Sequence, residues 1–233
     1  MNIQKAKTST TLKIGLNILM GLALITVVLV GIKYAINKKN EIKIAQLEKN
    51  ILDMRSAINL DSIRQYNIQK VISIIDQYNI QMPQHQKYEI AEEIYRMAQK
   101  YPNLNVDLLC ATITHESAGT WDPEVVSPAG ALGLMQVMPA TGMFVAAYED
   151  LSWTSAEEIL FDPIYNIRIG SRYLSSLIEL YDVDGGLAAY NGGEYRAARW
   201  LGNGKKNGIL AKETEAYVPA IQRLYEEYKS FNM

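Results

Sequence analysis

The longest apolar segment of the chain covers residues 14–32, where 19 successive positions carry no charge. A helix of this length, rising about 1.5 Å per residue, spans roughly 28 Å, which is close to the ~30 Å hydrocarbon core of a bilayer. The segment lacks the short apolar region and small-residue cleavage site of a signal peptide. We therefore expect an uncleaved transmembrane signal anchor over residues 14–36 after a cytoplasmic tail, residues 1–13, with a cleaved signal peptide as the alternative.

Residues 37–84 are rich in Ile, Asn, Gln and Lys, and their apolar positions give a partly helical rhythm without sustained heptads. The stretch IRQYNIQ, which begins at residue 63, recurs in the similar form IDQYNIQ at residue 75. One recurrence is too little for a repeat architecture. The pattern predicts a helical stalk, and self-association through the stalk is left open.

From about His85 the chain becomes a series of amphipathic helical patterns that are separated by Gly and Pro. The first pattern places on one face Tyr88, Ala91, Ile94, Tyr95 and Ala98. A later helix is expected to begin with Asp162 as its N-cap and Pro163 at its first position. The last pattern carries at helical spacing Ile221, Leu224, Tyr225 and Tyr228. No strand-like alternation of comparable length occurs, so residues 85–233 are predicted to form an all-α domain.

One glutamate, Glu116, lies at the end of an apolar helical face. That face is formed by Val106, Leu109, Cys110 and Ile113. Glu116 and Ser117 continue it, and Gly119 is the predicted helix stop. A carboxyl group there is partly desolvated and lies at the negative end of the helix dipole, and both effects raise its pKa. This is the setting of a carboxyl group that acts as a general acid near neutral pH.

Composition narrows the classes of partner and cofactor. The formal net charge of −2 over 233 residues gives no sign of a nucleic-acid partner. The single cysteine, Cys110, excludes a disulfide within the chain and is expected to be a buried small hydrophobe. With two histidines and no cysteine cluster, we expect no metal site and no cofactor. His115 and Glu116 do not continue into a zinc-protease motif, because Gly119 stands where the second histidine would be.

Four segments together carry a family resemblance: ITHESAGTWDP (113–123), SPAGALGLMQVMPATG (127–142), AAYNGG (188–193) and ETEAYV (213–218). Their order and separations resemble the lysozyme-like lytic transglycosylase domain of the soluble lytic transglycosylase type, which is related to goose-type lysozyme. The resemblance covers residues 85–231. It implies a lysozyme-like globular helical fold and cleavage of bacterial peptidoglycan glycan strands between N-acetylmuramic acid and N-acetylglucosamine. The usual product of that family is a 1,6-anhydro sugar.

The resemblance also assigns roles to residues of this sequence. Glu116 matches the family's single catalytic acid and base. The residues that match the glycan groove are Ser127, Met135 and Gln136, with ordinary core filling as the alternative for Met135. Tyr190 and Asn191 match the pair that meets the N-acetyl group or the catalytic carboxyl. Glu213 and Tyr217 match the last wall of the site, and a charge at a helix start is the alternative for Glu213. Because the glycan lies outside the cytoplasmic membrane, the resemblance implies a single-pass protein whose catalytic domain is on the outer side.

One departure from the family pattern follows the Glu-Ser pair. Family members commonly have one small residue and one aromatic residue before the next Asp/Asn-Pro. Here that interval holds Ala118, Gly119, Thr120 and Trp121, about two residues more. We therefore expect a longer loop beside the acid and an altered local subsite.

Two other functions are compatible with these residues. A muramidase-type hydrolase on the same scaffold would need a second carboxylate, and no matching position is found among Asp122, Glu124, Asp182 and Glu194. A non-catalytic glycan-binding component of the envelope would need no buried acid. The sequence leaves open which envelope process is served: wall remodelling, a secretion or conjugation machine, or phage entry.

Overall fold

The structure, a computed structural model, describes residues 3–231, with side chains from residue 15 onward. The side chains of the expected cytoplasmic tail, residues 1–13, lie outside the described part. Eight α-helices occur in the described residues: α1 Ile3–Tyr78, α2 Gln84–Lys100, α3 Val106–Glu116, α4 Pro139–Ala146, α5 Ala156–Leu160, α6 Pro163–Gly192, α7 Glu194–Gly202 and α8 Lys212–Ser230. Between residues 3 and 231 only isolated bridges occur, linking Val126, Leu132 and Val137. The predicted all-α fold class is confirmed.

The chain divides into two compact units, Met1–Asp61 and Ser62–Met233. In the first unit, the part of α1 from Gly15 onward contains a window long and apolar enough to cross a membrane, by length and composition. Its apolar side chains, among them Leu19, Val27 and Leu29, are exposed. This agrees with the expected anchor, although a signal sequence near the N-terminus has the same character.

The second unit begins at Ser62 and not at the expected residue 85. The last turns of α1 bury five side chains in its core: Ile68, Val71, Ile72, Ile74 and Ile75. The buried Lys87 of α2 donates to Asp76 Oδ1 at 2.6 Å and to the Ile80 carbonyl at 2.9 Å. Residues 62–84, which were expected in the stalk, therefore belong to the compact unit, because their isoleucines have a hydrophobic core to face.

Helix α6 is central to the second unit, since it contacts α2, α4, α5, α7 and α8. Its start matches the sequence prediction: Asp162 Oδ1 accepts from the backbone N–H groups of Ile164 and Tyr165 at 2.8 and 3.0 Å, and Pro163 follows the cap. Helix α3 packs against α2 and α8. The face that was predicted for α2 is buried at Ala91 and Ile94, whereas Tyr88 is exposed and does not belong to the buried face.

Candidate active site

Helix α3 delivers Glu116 to the site from inside the core. Asn105 caps its start, because Asn105 Oδ1 accepts from the Leu108 N–H at 2.9 Å. The predicted apolar face is buried at Val106, Leu109, Cys110 and Ile113, and burial raises the pKa of the Cys110 thiol. The helix ends at Glu116, and the Ser117 hydroxyl donates back to the Ile113 carbonyl at 2.8 Å. Three residues beyond this end, Gly119 has a φ of +71°.

The carboxyl group of Glu116 is held from α8. The hydroxyl of the fully buried Tyr217 donates to Glu116 Oε1 at 2.6 Å. Burial raises the pKa of Glu116 to about 7, the Tyr217 hydrogen bond lowers it, and the negative charge of Glu213 raises it further. Burial and the charge of Glu116 in turn raise the pKa of Tyr217 well above its ordinary value. Glu116 therefore holds its proton in a substantial fraction of molecules at neutral pH.

A cleft of about 400 Å³ opens in front of this carboxyl group. It brings together six of the sequence-predicted site residues: Glu116, Ser127, Gln136, Tyr190, Asn191 and Glu213. Four further residues of the wall were not predicted from the sequence: Pro128, Ala129, Ala131 and Met138. All four lie in the 127–142 motif, so their closeness in sequence to Ser127 and Gln136 could have identified them.

Ser127 and Gln136 shape the loop that forms one wall of the cleft. The Ser127 hydroxyl accepts from the Ala131 N–H at 2.9 Å. The Gln136 side-chain amide donates to the carbonyls of Val125 and Gly133 at 3.1 and 2.8 Å, and its φ is +48°. The amide nitrogen of Gln136 is thus engaged by the backbone of its own loop.

Met135 does not line the cleft. Its side chain is fully buried and packs so closely on Gly170 that a Cβ there would lie 2.6 Å from the Met135 sulfur. The side chain of Met135 thus fills the core, which was the alternative to its expected contact with the glycan. Its backbone still contributes to the site, since the Met135 carbonyl accepts from the Tyr190 hydroxyl at 2.8 Å.

The end of α6 supplies Tyr190 and Asn191. The Tyr190 ring lies against Tyr173 with centroids 5.4 Å apart, and burial and the charge of Glu116 raise the pKa of Tyr190 well above its ordinary value. Asn191 Oδ1 accepts from the Thr214 hydroxyl at 2.7 Å. Asn191 thus lies in the cleft wall and is oriented by Thr214, while Tyr217 lies behind Glu116 as a buried support.

A buried asparagine, Asn166 on α6, fixes the loop between Ser127 and Gln136. Its side-chain amide donates to the carbonyls of Leu132 and Leu160, each at 2.8 Å. Its Oδ1 accepts from the Met135 N–H at 2.8 Å. Gly133 permits this close approach, because a Cβ at that position would lie 2.3 Å from the Asn166 amide nitrogen. Asn166 therefore ties the cleft wall to the central helix at two points, Leu132 and Met135.

A model of the Transglycosylase SLT domain family matches residues 93–212, which is more than half of the 233 residues. The chain belongs to this family. The match includes Glu116 and the cleft wall, whereas Glu213 and Tyr217 lie just beyond its end.

Two curated relatives share this SLT domain. The chain is similar to the soluble lytic murein transglycosylase of Escherichia coli strain K12, with 34% identity over 131 residues, 52% of this chain and 20% of the relative. It is also similar to the membrane-bound lytic murein transglycosylase C of Shigella sonnei strain Ss046, with 35% identity over 121 residues, 47% of this chain and 33% of the relative. The chain covers only a fifth to a third of these relatives.

Solved structures show the same SLT fold. The 70 kDa soluble lytic transglycosylase SLT70 from Escherichia coli superposes with a TM-score of 0.52 and 29% identity, covering 61% of this chain and 25% of that chain. An inactive glutamate-to-glutamine mutant of the lytic transglycosylase Slt from Pseudomonas aeruginosa gives a TM-score of 0.51 and 28% identity, covering 58% and 23%. These similarities confirm the lysozyme-like domain.

The loop that follows Glu116, which was expected to be longer than in the family, folds inward. Trp121 is fully buried, and its indole N–H donates to the Thr114 hydroxyl at 3.0 Å. The Thr114 hydroxyl also pairs with the Tyr228 hydroxyl at 2.9 Å, and Tyr228 donates to Tyr78 at 3.1 Å. Asn79 further donates to the Trp121 carbonyl at 3.4 Å. The loop is therefore anchored in the core by its tryptophan.

Proposed function

We propose that the chain is a membrane-anchored lytic transglycosylase of peptidoglycan. It cleaves the β-1,4 bond between N-acetylmuramic acid and N-acetylglucosamine and forms a 1,6-anhydro-N-acetylmuramic acid end. The observation that carries the proposal is the carboxyl group of Glu116, which faces the cleft, has a pKa of about 7 and is held by Tyr217. Family membership and the names of the relatives support the same chemistry.

In the first step, protonated Glu116 donates its proton to the glycosidic oxygen. The bond from that oxygen to C1 of the muramic acid then breaks, and positive charge develops at C1. An alcohol leaves far more readily than an alkoxide, so the reaction requires an acid that still holds its proton near neutral pH. A pKa of about 7 meets this requirement, and an ordinary exposed glutamate would not.

In the second step, the Glu116 carboxylate takes the proton of the muramic acid C6 hydroxyl. The C6 oxygen then forms a bond to C1, which closes the 1,6-anhydro ring and regenerates the protonated acid. No water is consumed, and one carboxyl group serves as acid and then as base. The Tyr217 hydroxyl donates to the Glu116 carboxylate and stabilises its charge between the two steps.

A muramidase-type hydrolase is the second candidate, and one observation favours it. Glu213 lines the same cleft as Glu116 and acts on it electrostatically, so the cleft holds a second carboxylate, which a hydrolase requires. Glu213 is exposed, and its charge raises the pKa of Glu116. We favour the role of a neighbouring charge, in which Glu213 helps Glu116 to retain its proton.

The deciding experiment is digestion of peptidoglycan in heavy-oxygen water, followed by mass spectrometry. A transglycosylase gives 1,6-anhydro ends without label, and a hydrolase places the label at C1 of the new muramic acid end. The Glu116→Gln variant should lose at least ~10²-fold of the activity and keep its fold. Wild-type activity in the folded variant would contradict the mechanism, and absence of any wild-type activity would favour a glycan-binding component.

We further propose that residues 14–36 anchor the protein in the cytoplasmic membrane once, with the compact unit outside. The flanking charges favour neither side strongly, because lysines stand on both sides of the span: Lys5, Lys7 and Lys13 before it, and Lys33, Lys38, Lys39 and Lys43 after it. The orientation is therefore proposed from the location of the glycan. Protease added to intact spheroplasts should remove a tag placed after Met233. Protection of the tag in sealed cells would show that the compact unit lies on the cytoplasmic side.

A further inference from the structure

Large apolar side chains are exposed on α1 before the compact unit begins. Ile44, Leu47, Ile51 and Met54 each expose more than half of their surface. They lie in the stalk segment, which we define here as residues 37–61 because the second unit begins at Ser62. A row of exposed apolar residues on one helix marks a surface that another molecule covers.

The spacing of these residues indicates what kind of surface it is. They follow one another at steps of three, four and three residues, and Ile58 adds a further step of four. Alternating steps of three and four keep an apolar stripe in line when helices wind around each other. In heptad notation, isoleucine occupies the a positions 44, 51 and 58, and Leu47 and Met54 occupy the d positions between them. Two heptads are therefore present, although residues 37–84 as a whole have no sustained heptad pattern.

From this pattern we infer that the stalk segment pairs with the stalk segment of a second copy of this chain, as a parallel two-stranded coiled coil. Isoleucine at a with leucine at d is the combination that favours two strands. The preceding a and d positions are Asn37 and Asn40. A single asparagine at a pairs with its counterpart, which fixes the register and favours a dimer at some cost in stability.

The charges beside the stripe fit the same arrangement. Lys43 is at a g position, and Glu48 is at the e position of the next heptad. In a parallel pair in register, these two residues face each other across the interface, and symmetry makes the contact twice. The next such pair is Asn50 with Arg55, which brings no like charges together.

A second copy fits this stripe better than a lipid surface does. The stalk segment carries five basic and four acidic residues, whereas helices that bind anionic lipid have a strongly basic polar face. The next d position after Met54 is Asp61, so the apolar stripe ends where the second unit begins. If both copies are anchored in one membrane, as proposed above, their helices share one direction, and the parallel arrangement follows.

Cysteine cross-linking of the full chain in its native membrane tests the pairing directly. In a Cys110→Ala background, Leu47→Cys introduces a thiol at a d position, and Lys49→Cys introduces one on the opposite side of the helix. Mild oxidation should convert Leu47→Cys into a disulfide-linked dimer and leave Lys49→Cys largely monomeric. No dimer from Leu47→Cys, or equal dimer from both variants, would overturn the proposal.

Neighbouring substitutions separate the stripe from general hydrophobicity. In the Leu47→Cys chain, Ile51→Lys places two like charges in one layer and should lower the cross-linked fraction about tenfold or more. Leu52→Lys removes an exposed apolar residue outside the stripe. It should change the cross-linked fraction less than about twofold. Equal losses would contradict the heptad assignment. The cross-linking result does not depend on the proposed activity, which is measured separately by peptidoglycan digestion.

The charge pair gives a test of the register. Lys43→Glu alone should lower the cross-linked fraction, because it places acidic groups opposite Glu48, and the added change Glu48→Lys should restore it. A double variant as weak as the single one would refute the parallel register. Amine-reactive cross-linking of the unmodified chain should stop at two copies, and a distinct three-copy product would refute the two-stranded assignment.

Discussion

The hydroxyl of Tyr217 donates a 2.6 Å hydrogen bond to Oε1 of Glu116, although the two residues are 101 positions apart in the chain. Tyr217 is fully buried, and the ring of His115 meets its ring edge-on with centroids 4.8 Å apart. The carboxyl group is therefore oriented by a rigid partner on α8 as well as by its own helix. Substitutions can therefore test separately the orientation of the Glu116 carboxyl group and its affinity for a proton.

Replacing Tyr217 by phenylalanine removes this hydrogen bond and keeps the ring. Because the bond lowers the pKa of Glu116, its loss should raise that pKa and move the alkaline limit of activity to higher pH. The maximal rate should fall about tenfold or more, since a hydrogen bond to a charged group contributes about 1.5–3 kcal/mol. The measurement is the pH dependence of peptidoglycan digestion by the full chain.

Tyr225→Phe is the matched control for this change, because Tyr225 is on the same helix and its hydroxyl accepts from Asn105. It should leave both the rate and the pH profile unaltered. A Tyr217→Phe profile that coincides with that of the wild type would show that the bond does not act on the acid.

Glu213→Gln should shift the pH profile in the opposite direction. The charge of Glu213 raises the pKa of Glu116, so its removal should lower that pKa and bring the alkaline limit of activity to lower pH. A hydrolase that uses Glu213 as its second carboxylate would instead lose nearly all activity at every pH. Glu226→Gln, at an exposed position on α8, serves as the control and should not shift the limit.

The same carboxyl group makes stability depend on pH. Burial raises the pKa of Glu116 from an ordinary value of 4.5 to about 7, so the folded chain binds its proton more tightly than the unfolded chain. Its stabilising contribution is complete below about pH 4.5 and is lost as the pH rises through about 7. Glu116→Gln should therefore be more stable than the wild type at pH 8, by up to about 3 kcal/mol, and should match it near pH 5.

Denaturant unfolding can be followed in the full chain by tryptophan fluorescence, because all three tryptophans, Trp121, Trp153 and Trp200, lie in the second unit. Glu226→Gln should show no such difference between pH 5 and pH 8. A Glu116→Gln stability difference that is the same at both pH values would contradict the raised pKa.

The last turns of α1 should be essential to the compact unit. Ile75 is fully buried, so Ile75→Ala should lower the free energy of unfolding by about 2–5 kcal/mol. Ile63→Ala removes the same atoms from an exposed position on the same helix and should cost much less. Denaturant unfolding of the two variants, followed by tryptophan fluorescence, makes the comparison. Similar small losses of stability in both variants would indicate that residues 62–84 belong to the stalk.

Two polar residues of the cleft should respond differently to substitution by alanine. Asn191→Ala leaves the backbone of the loop intact and should reduce activity with little change in stability. Gln136→Ala removes donors to the Val125 and Gly133 carbonyls and should lower both activity and stability, the latter by about 1–3 kcal/mol. Equal thermal stability of the two variants would show that the loop does not depend on Gln136.

Local sequence patterns predicted those structural features that depend on one helix alone. The buried face of α3 follows from its periodicity, and the start of α6 follows from the chemistry of Asp162 and Pro163. The direction in which Met135 points does not follow from local pattern, because a loop has no fixed period and the side chain is placed by Gly170. The same limit applies to the bond between Tyr217 and Glu116, which depends on the packing of α8 on α3.

The isoleucine-rich part of α1 shows the limit most clearly. Ile51 and Ile75 occur in similar surroundings in the sequence, yet Ile51 is half exposed and Ile75 is fully buried. Helical periodicity describes an apolar face and does not say which partner covers it. The boundary at Ser62 is thus a tertiary property.

The three hydrogen bonds of Asn166 limit which residues the chain can tolerate at that position. An aspartate has the same shape but cannot donate to two carbonyl groups, a leucine would remove all three hydrogen bonds, and a glutamine is one methylene too long for the space beside Gly133. Of these four residues, only asparagine can make all three hydrogen bonds in the space available. Across descendants of this gene, Asn166 should be as invariant as the acid itself, for reasons of architecture alone, and invariance would be a misleading guide to the catalytic groups.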